Sequence, residues 1–203
     1  MLRRPNDWEN VQEFVDKPRL PLGAYIARVK QAVLQSNEYG EQLCILFDIA
    51  EGEFQGYYTS DFQNNNRTDK KWKGVLRYWL PKEDGSEKDE WTKRSLKGMV
   101  TSFERSNPGY QFDWNEKSLA GKLVGVLYRN EEWEYEGKTG WTPRPFRAIS
   151  VDSVRNGDFT FPKDKPLKKK QEAGSGYSDY AVPSYPEAPS YPILDSDDSE
   201  LPF

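Results

Sequence analysis

Polar and apolar residues begin to alternate at Gly23, and a period of two over residues 24–33 predicts a first strand. Its register puts Tyr25, Ala27, Val29 and Val33 on one face and Arg28 and Lys30 on the other. Residues 36–40, Ser-Asn-Glu-Tyr-Gly, read as a turn. The stretch 42–50 is largely apolar, the pattern of a central strand, and the Glu51-Gly52-Glu53 kink ends it. Residues 56–62, which hold Tyr57, Tyr58, Thr59 and Phe62, predict a third strand, and the polar excursion 64–74 a loop. The period then changes. Over residues 92–106, Leu96, Met99, Val100 and Phe103 follow the i, i+3, i+4, i+7 spacing of one buried helical stripe, which Asn107-Pro108-Gly109 stops. Residues 123–128 and 146–151 form a closing hairpin pattern through the Gly-containing stretch 136–140. Upstream, residues 1–20 are a polar arm in which 8–15 predict a short helix, with Trp8, Val11, Phe14 and Val15 as anchors.

Three strands, one helix and two strands predict an all-β domain with one helix over residues 21–165. That order is the connectivity of an OB-fold, a five-stranded Greek-key barrel whose strand 2–3 face binds oligonucleotides. Leu43, Ile45, Phe47, Leu96, Met99, Val100 and Phe103 are the expected core. From residue 166 the pattern dissolves. Lysines give way to Gly174-Ser175-Gly176 and then to a repeated Ser-Tyr-Pro at 184–186 and 190–192. Pro, Gly and Ser at this density predict a flexible linker over 166–194, with an r.m.s. span on the order of 30 Å. Residues 195–203 form an acidic tip.

Composition narrows the chemistry. Only 35% of the 203 residues are apolar, but 14% are aromatic, enough for a compact β-rich core. The net charge of -4 hides a segregation: residues 1–170 hold all 29 Lys and Arg against 26 acids, whereas residues 171–203 hold seven acids and no base. A mildly basic body thus precedes a strongly acidic tail. The absence of His removes the usual general base and the commonest transition-metal ligand. Cys44 is the single Cys, so neither an internal disulfide nor a Cys-ligated zinc site is expected, and its apolar surroundings make it a core residue. No cofactor or metal is expected. No apolar run reaches membrane-spanning length and no signal-peptide core follows Met1, so a cytoplasmic location is expected, in the bacterial host if the protein is phage-encoded.

The tip reads Asp195-Ser196-Asp197-Asp198-Ser199-Glu200-Leu201-Pro202-Phe203. Its charges hold an apolar ring and a free α-carboxylate in water, as a plug for a partner: the Phe203 ring for a pocket, the carboxylate for an Arg or Lys, and Asp195, Asp197, Asp198 and Glu200 for a basic rim. With Leu201 and Pro202, this tip resembles the acidic C-terminal peptide of bacterial and phage single-stranded-DNA-binding proteins. The resemblance implies recruitment of replication or recombination proteins. The body adds a second one. Leu20-Pro21-Leu22-Gly23-Ala24-Tyr25, the stretch from Phe47 through Gly52 and Gly56 to Tyr58, and Ser106-Asn107-Pro108-Gly109-Tyr110 are similar to a family of small proteins encoded among the replication and recombination functions of Gram-positive phages. That similarity covers about residues 8–165. It implies an OB-fold accessory protein that binds single-stranded DNA without catalysis.

Sequence-tolerant binding of single strands needs aromatic faces for bases and cations along the backbone path. Three sets of residues meet that description. The first is the interleaved run Arg67, Lys70, Lys71, Trp72, Lys73, Arg77, Tyr78 and Trp79. The second joins Arg28 and Lys30 to Tyr57, Tyr58 and Phe62, with one of the two adjacent tyrosines pointing inward. The third is the final hairpin, with Arg129, Trp133, Tyr135, Lys138, Trp141, Arg144, Phe146 and Arg147, where Pro143 and Pro145 point to a strand edge or an open loop. Each ring has a core alternative. Two other functions compete. Glu134, Glu136 and Lys138, with Asp113 and Glu116, have the composition of a metal-dependent nuclease site, and seven Trp would serve a virion or carbohydrate-binding module.

Overall fold

A computed structural model describes residues 3–11 and 19–167 of the chain. The linker beyond Leu167, the tip, and the arm residues Phe14 and Val15 lie outside the described residues. Five antiparallel strands, β1 (Ala24–Asn37), β2 (Gly40–Ile49), β3 (Val75–Trp79), β4 (Leu123–Tyr135) and β5 (Lys138–Ile149), form one sheet in the order β3-β2-β1-β4-β5. Three helices accompany it: α1 (Tyr57–Gln63), α2 (Glu87–Ser106) and α3 (Val151–Asn156). Among the described residues no helix is long and apolar enough to cross a membrane.

One face of the sheet and the apolar stripe of α2 enclose the main core. Leu43, Ile45 and Phe47 from β2 meet Val124, Val126 and Tyr128 from β4 and Leu96, Met99, Val100 and Phe103 from α2. All seven residues expected in the core are buried. Ser86 caps α2, its hydroxyl accepting the Asp89 N–H, so the helix starts at Glu87, five residues before the expected start at residue 92. The apolar pattern of β2 has its explanation on the opposite face, where Cys44, Leu46 and Val75 form a second buried cluster with Val33 and Trp72 packed on it.

Val33 changes sides because β1 carries a bulge. Val29 pairs with Phe47 and Gln31 with Leu46, which leaves Lys30 as the extra residue. Past that point the alternation is inverted. Ala32, not Val33, therefore faces the main core, while Arg28 and Lys30 are exposed as expected.

Three further expectations are corrected. Residues 56–62 are not a strand: Gly56, at φ 73°, starts α1, and the third strand is Val75–Trp79. The cause is Asp48. Its buried carboxylate accepts the N–H groups of Tyr58 at 2.9 Å and Thr59 at 3.0 Å, and the Thr59 hydroxyl as well. It thereby caps a helix that begins nine residues downstream, overriding the strand preference of Tyr-Tyr-Thr. Next, Trp8 and Val11 are exposed rather than anchored, and the helical turn there is three residues of 3-10 helix, Trp8–Asn10. Last, the barrel is not closed. No ladder joins β3 to β5; the Tyr78 hydroxyl, which accepts the Ala148 N–H at 2.6 Å, spans the seam instead, and from α2 the Ser102 hydroxyl donates to the Ala148 carbonyl at 3.3 Å.

Candidate nucleic-acid interface

The bulge at Lys30 and the loop between α1 and β3 bring two of the sequence-predicted sets together. Lys30 Nζ lies 5.0 Å from the centre of the Trp72 ring, and Lys70 Nζ lies 4.6 Å from that of Phe62. The two rings are 5.8 Å apart, so two cations and two rings from three chain segments form one cluster. Trp72 is anchored as well as presented: its indole N–H donates to the Phe47 carbonyl at 3.0 Å, and the ring packs on both apolar clusters. The structural half of the sequence reading of this ring therefore holds: Trp72 seals the apolar clusters and is half-buried. Around the cluster, Arg67 and Lys71 are exposed, and Lys73 pairs with Asp61 at 3.1 Å. Arg28 donates to the Gly121 carbonyl at 3.0 Å.

On β3 the alternation sorts the remaining members of the first set. Arg77 pairs with Cys44 and Trp79 with Gln42, on the outer face of the sheet, and Arg77 is exposed. Tyr78 points the other way into the main core and is lost as a base-stacking candidate. Burial pushes its hydroxyl up to about 12. Tyr58 is lost too. Its hydroxyl shares a hydrogen bond with Tyr128 at 2.8 Å, and desolvation pushes both hydroxyls well above the ordinary tyrosine range. Tyr57, half-buried on α1, packs edge-on against Tyr58 and Phe54.

The third set occupies a long hairpin. Glu136 at φ 50° and Gly137 at φ 74° make a two-residue turn of the mirror-image type that suits the twist of paired strands. A bulge between Leu127 and Tyr128 shifts the register, after which Arg129 faces Arg144 and Trp133 faces Gly140. Arg147, opposite Leu127, shares that face. Trp133 lies directly over Gly140, where an added Cβ would come within 2.7 Å of its ring. Trp141 pairs with Glu132 on the reverse face. Both indoles are well exposed, at 38% and 46%, and Tyr135 is at 68%. Arg129 stacks on Phe146 at 4.4 Å and pairs with Glu131 at 2.7 Å. Beyond its contact with β1, the free edge of β4 is held by Lys165, whose N–H donates to Asn130 and whose carbonyl accepts the Glu132 N–H, each at 2.9 Å. Pro143 and Pro145 sit on β5, which is an edge strand as their missing N–H groups require.

Two features have no local signal in the sequence. Asp48, which positions α1 and therefore Phe62, reads as one polar break in an apolar strand. Lys117 joins Lys30 in lining a depression of about 410 Å³, because the 3-10 turn Glu116–Leu119 packs on β1. The carboxylates of the nuclease reading are spread out. Glu134 and Glu136 belong to the hairpin tip, whereas Asp113 accepts the Ser118 hydroxyl and the Asn115 N–H, bonds that hold it below the usual carboxylate range. Among the described residues no group of three or more Asp, Glu or Cys is placed to hold a metal ion. The candidate partner-binding residues Asp195, Asp197, Asp198, Glu200, Leu201, Pro202 and Phe203 lie outside the described residues. No protein-family model matches this chain, and no curated protein matches it in sequence.

Proposed function

We propose that this protein binds single-stranded DNA without catalysis during phage DNA replication or recombination, and recruits partner proteins through its tip. The observation that carries the reading is the convergence of Lys30 and Trp72, at 5.0 Å, with Lys70 and Phe62 beside them. Stacked bases need ring faces, and a strand's phosphates need cations next to them; each stacked base contributes ~1–3 kcal/mol. The DNA path runs over the outer face of β1–β2–β3, past Arg28, Arg67, Lys71, Lys73, Arg77 and Trp79, and along the β4–β5 hairpin past Arg129, Trp133, Trp141, Arg144 and Arg147.

The sheet supports this as an open relative of the OB barrel. Its strand order and the placement of α2 between β3 and β4 agree with that architecture, and the long β4–β5 hairpin projects where OB-folds carry one of their two oligonucleotide-binding loops. The acidic run of residues 195–200 followed by Leu-Pro-Phe supports the recruiting role.

The test is fluorescence anisotropy of a labelled oligo-dT with the full chain across a salt series. Binding is expected, with an affinity that falls linearly in log–log form by ~0.7 per phosphate contact. Binding that ignores salt, or no binding at low salt, overturns the reading.

A further inference from the structure

A groove of about 630 Å³ opens between α2, the end of β5 and the start of α3. Its charged lining is wholly cationic: Lys93, Arg94, Lys97 and Arg105. Lys93 is held by Asp89 at 2.8 Å and Glu90 at 3.8 Å. Among the described residues the side chains of Arg94, Lys97 and Arg105 make no hydrogen bond or ion pair. Positions 94, 98, 101 and 105 lie on the face of α2 opposite its buried stripe and repeat at the spacing of a single helical seam, with Lys93 and Lys97 on its flank. Lys93 with Lys97, and Arg94 with Lys97, are like-charge neighbours that weaken an isolated helix.

Gly98 is the second observation. It lies in the middle of a 20-residue helix, where Gly is among the least favourable residues. Close packing does not require it, since a Cβ at Gly98 would meet nothing within 4 Å. Its effect is to leave the groove floor open to the helix backbone, between Arg94 and Arg105. The groove also has a continuation. Ile149, at its rim, shares a face of β5 with Arg147, which leads on to Arg144, Arg129 and Trp133.

We propose that the α2 groove is a phosphate-backbone track for single-stranded nucleic acid that extends the path from the β4–β5 hairpin around the open seam between β3 and β5. The inference rests on the DNA-binding reading above and adds a segment to its site. From Lys93 to Arg105 the row is about 18 Å long at ~1.5 Å per residue. That length spans about five phosphates at the ~3.4 Å spacing of a stacked strand.

The experiment measures oligo-dT binding by anisotropy, over a salt series, for the full chain and three variants. In R94A/K97A/R105A, affinity at low salt is expected to fall on the order of tenfold, and the salt slope by about 2, from three contacts at ~0.7 each. Gly98→Leu changes no charge and improves the helix. It is expected to raise the thermal midpoint while weakening binding at least threefold, opposite shifts that a merely structural role does not produce. The third variant, R77A/W133A, alters only the outer face. Loss in all three supports both segments of the path. If the chain binds but only the outer-face variant loses affinity, the groove is a solvated helix face and the inference falls alone. If only the groove variants lose affinity, the groove stands and the outer-face path falls. If the unaltered chain binds no oligonucleotide, both fall.

Discussion

The Tyr78 hydroxyl accepts the Ala148 N–H at 2.6 Å and so joins β3 to β5 where no strand ladder does. The bond satisfies a buried backbone donor and holds the two ends of the sheet together. Tyr78→Phe is expected to destabilise the fold by about 1–3 kcal/mol in urea unfolding, the effect of orphaning a buried N–H. It carries a pH signature too. The folded hydroxyl titrates near 12, above the ordinary value of 10.0, because burial penalises its charged form. Its contribution is therefore full below pH 10.0 and is lost as pH rises towards 12. Unfolding followed across that window is expected to show a shallower loss of stability in Tyr78→Phe than in the parent chain.

Asp48 makes a parallel case inside β2. Replacing it with Ala removes the acceptor for the Tyr58 and Thr59 N–H groups and the Thr59 hydroxyl. A loss of about 2–4 kcal/mol is expected, with Asp48→Asn losing less because one oxygen remains. Hydrogen exchange at Tyr58 and Thr59 is the direct check. Unchanged protection there would show that α1 forms without its remote cap.

The exposed and the anchored tryptophans are expected to separate cleanly. Trp133→Ala and Trp141→Ala leave the thermal midpoint unchanged and each reduce oligo-dT affinity by ~1–3 kcal/mol. Trp72→Ala also loses packing against both apolar clusters and the bond to the Phe47 carbonyl, so its midpoint falls as well. Trp72→Phe, which keeps a ring, is expected to recover part of both. Differential scanning calorimetry beside anisotropy distinguishes these outcomes.

Glycines at two contacts predict opposite outcomes. A Cβ at Gly74 would lie 2.5 Å from the Phe47 carbonyl and 2.6 Å from the Tyr58 ring, both fixed in the core, so Gly74→Ala is expected to unfold or strongly destabilise the protein. At Gly140 the obstacle is the exposed Trp133 ring, which can swing away. Gly140→Ala is expected to keep the fold, shift the Trp133 emission maximum and weaken DNA binding. An unaltered emission spectrum with full affinity would remove Trp133 from the interface.

Deleting residues 195–203 removes four of the seven tail acids with the Leu-Pro-Phe end. Under the proposed function, the tail acids would mimic phosphate and compete with DNA for the basic surface at low salt. The deletion is thus expected to preserve or modestly raise DNA affinity, with the gain shrinking as salt is added, and to abolish partner recruitment. Phe203→Ala removes no side-chain charge, so it is expected to lose partner binding while the acidic competition persists. Titration calorimetry of a tail peptide against helicase, primase and recombination proteins reads out the second effect. Normal partner binding by Phe203→Ala would make the likeness of the tip a coincidence.

Short-range patterning was sufficient for β1 as far as its bulge, for β2, for the buried stripe of α2 and for the inner ends of the closing hairpin, and for every residue expected in the core; it ran the last strand on to Val151, which instead starts α3. Alternation and the i, i+3, i+4 spacing are properties of neighbouring residues, and burial follows from them directly. The charge-segregated tail is equally a matter of composition. Other features depended on contacts between distant residues. Residues 56–62 have strand-forming side chains, yet Asp48, from another element, caps them into a helix. The bulge at Lys30 inverts the faces of β1, moves Val33 outward and brings a lysine over Trp72. Tyr57 and Tyr58, Trp72 and Tyr78 are each aromatic residues in polar or mixed surroundings, and one sequence does not distinguish a ring that stacks on a ligand from one that seals a core. Burial separates them, because it sums over elements that meet only when the chain has folded.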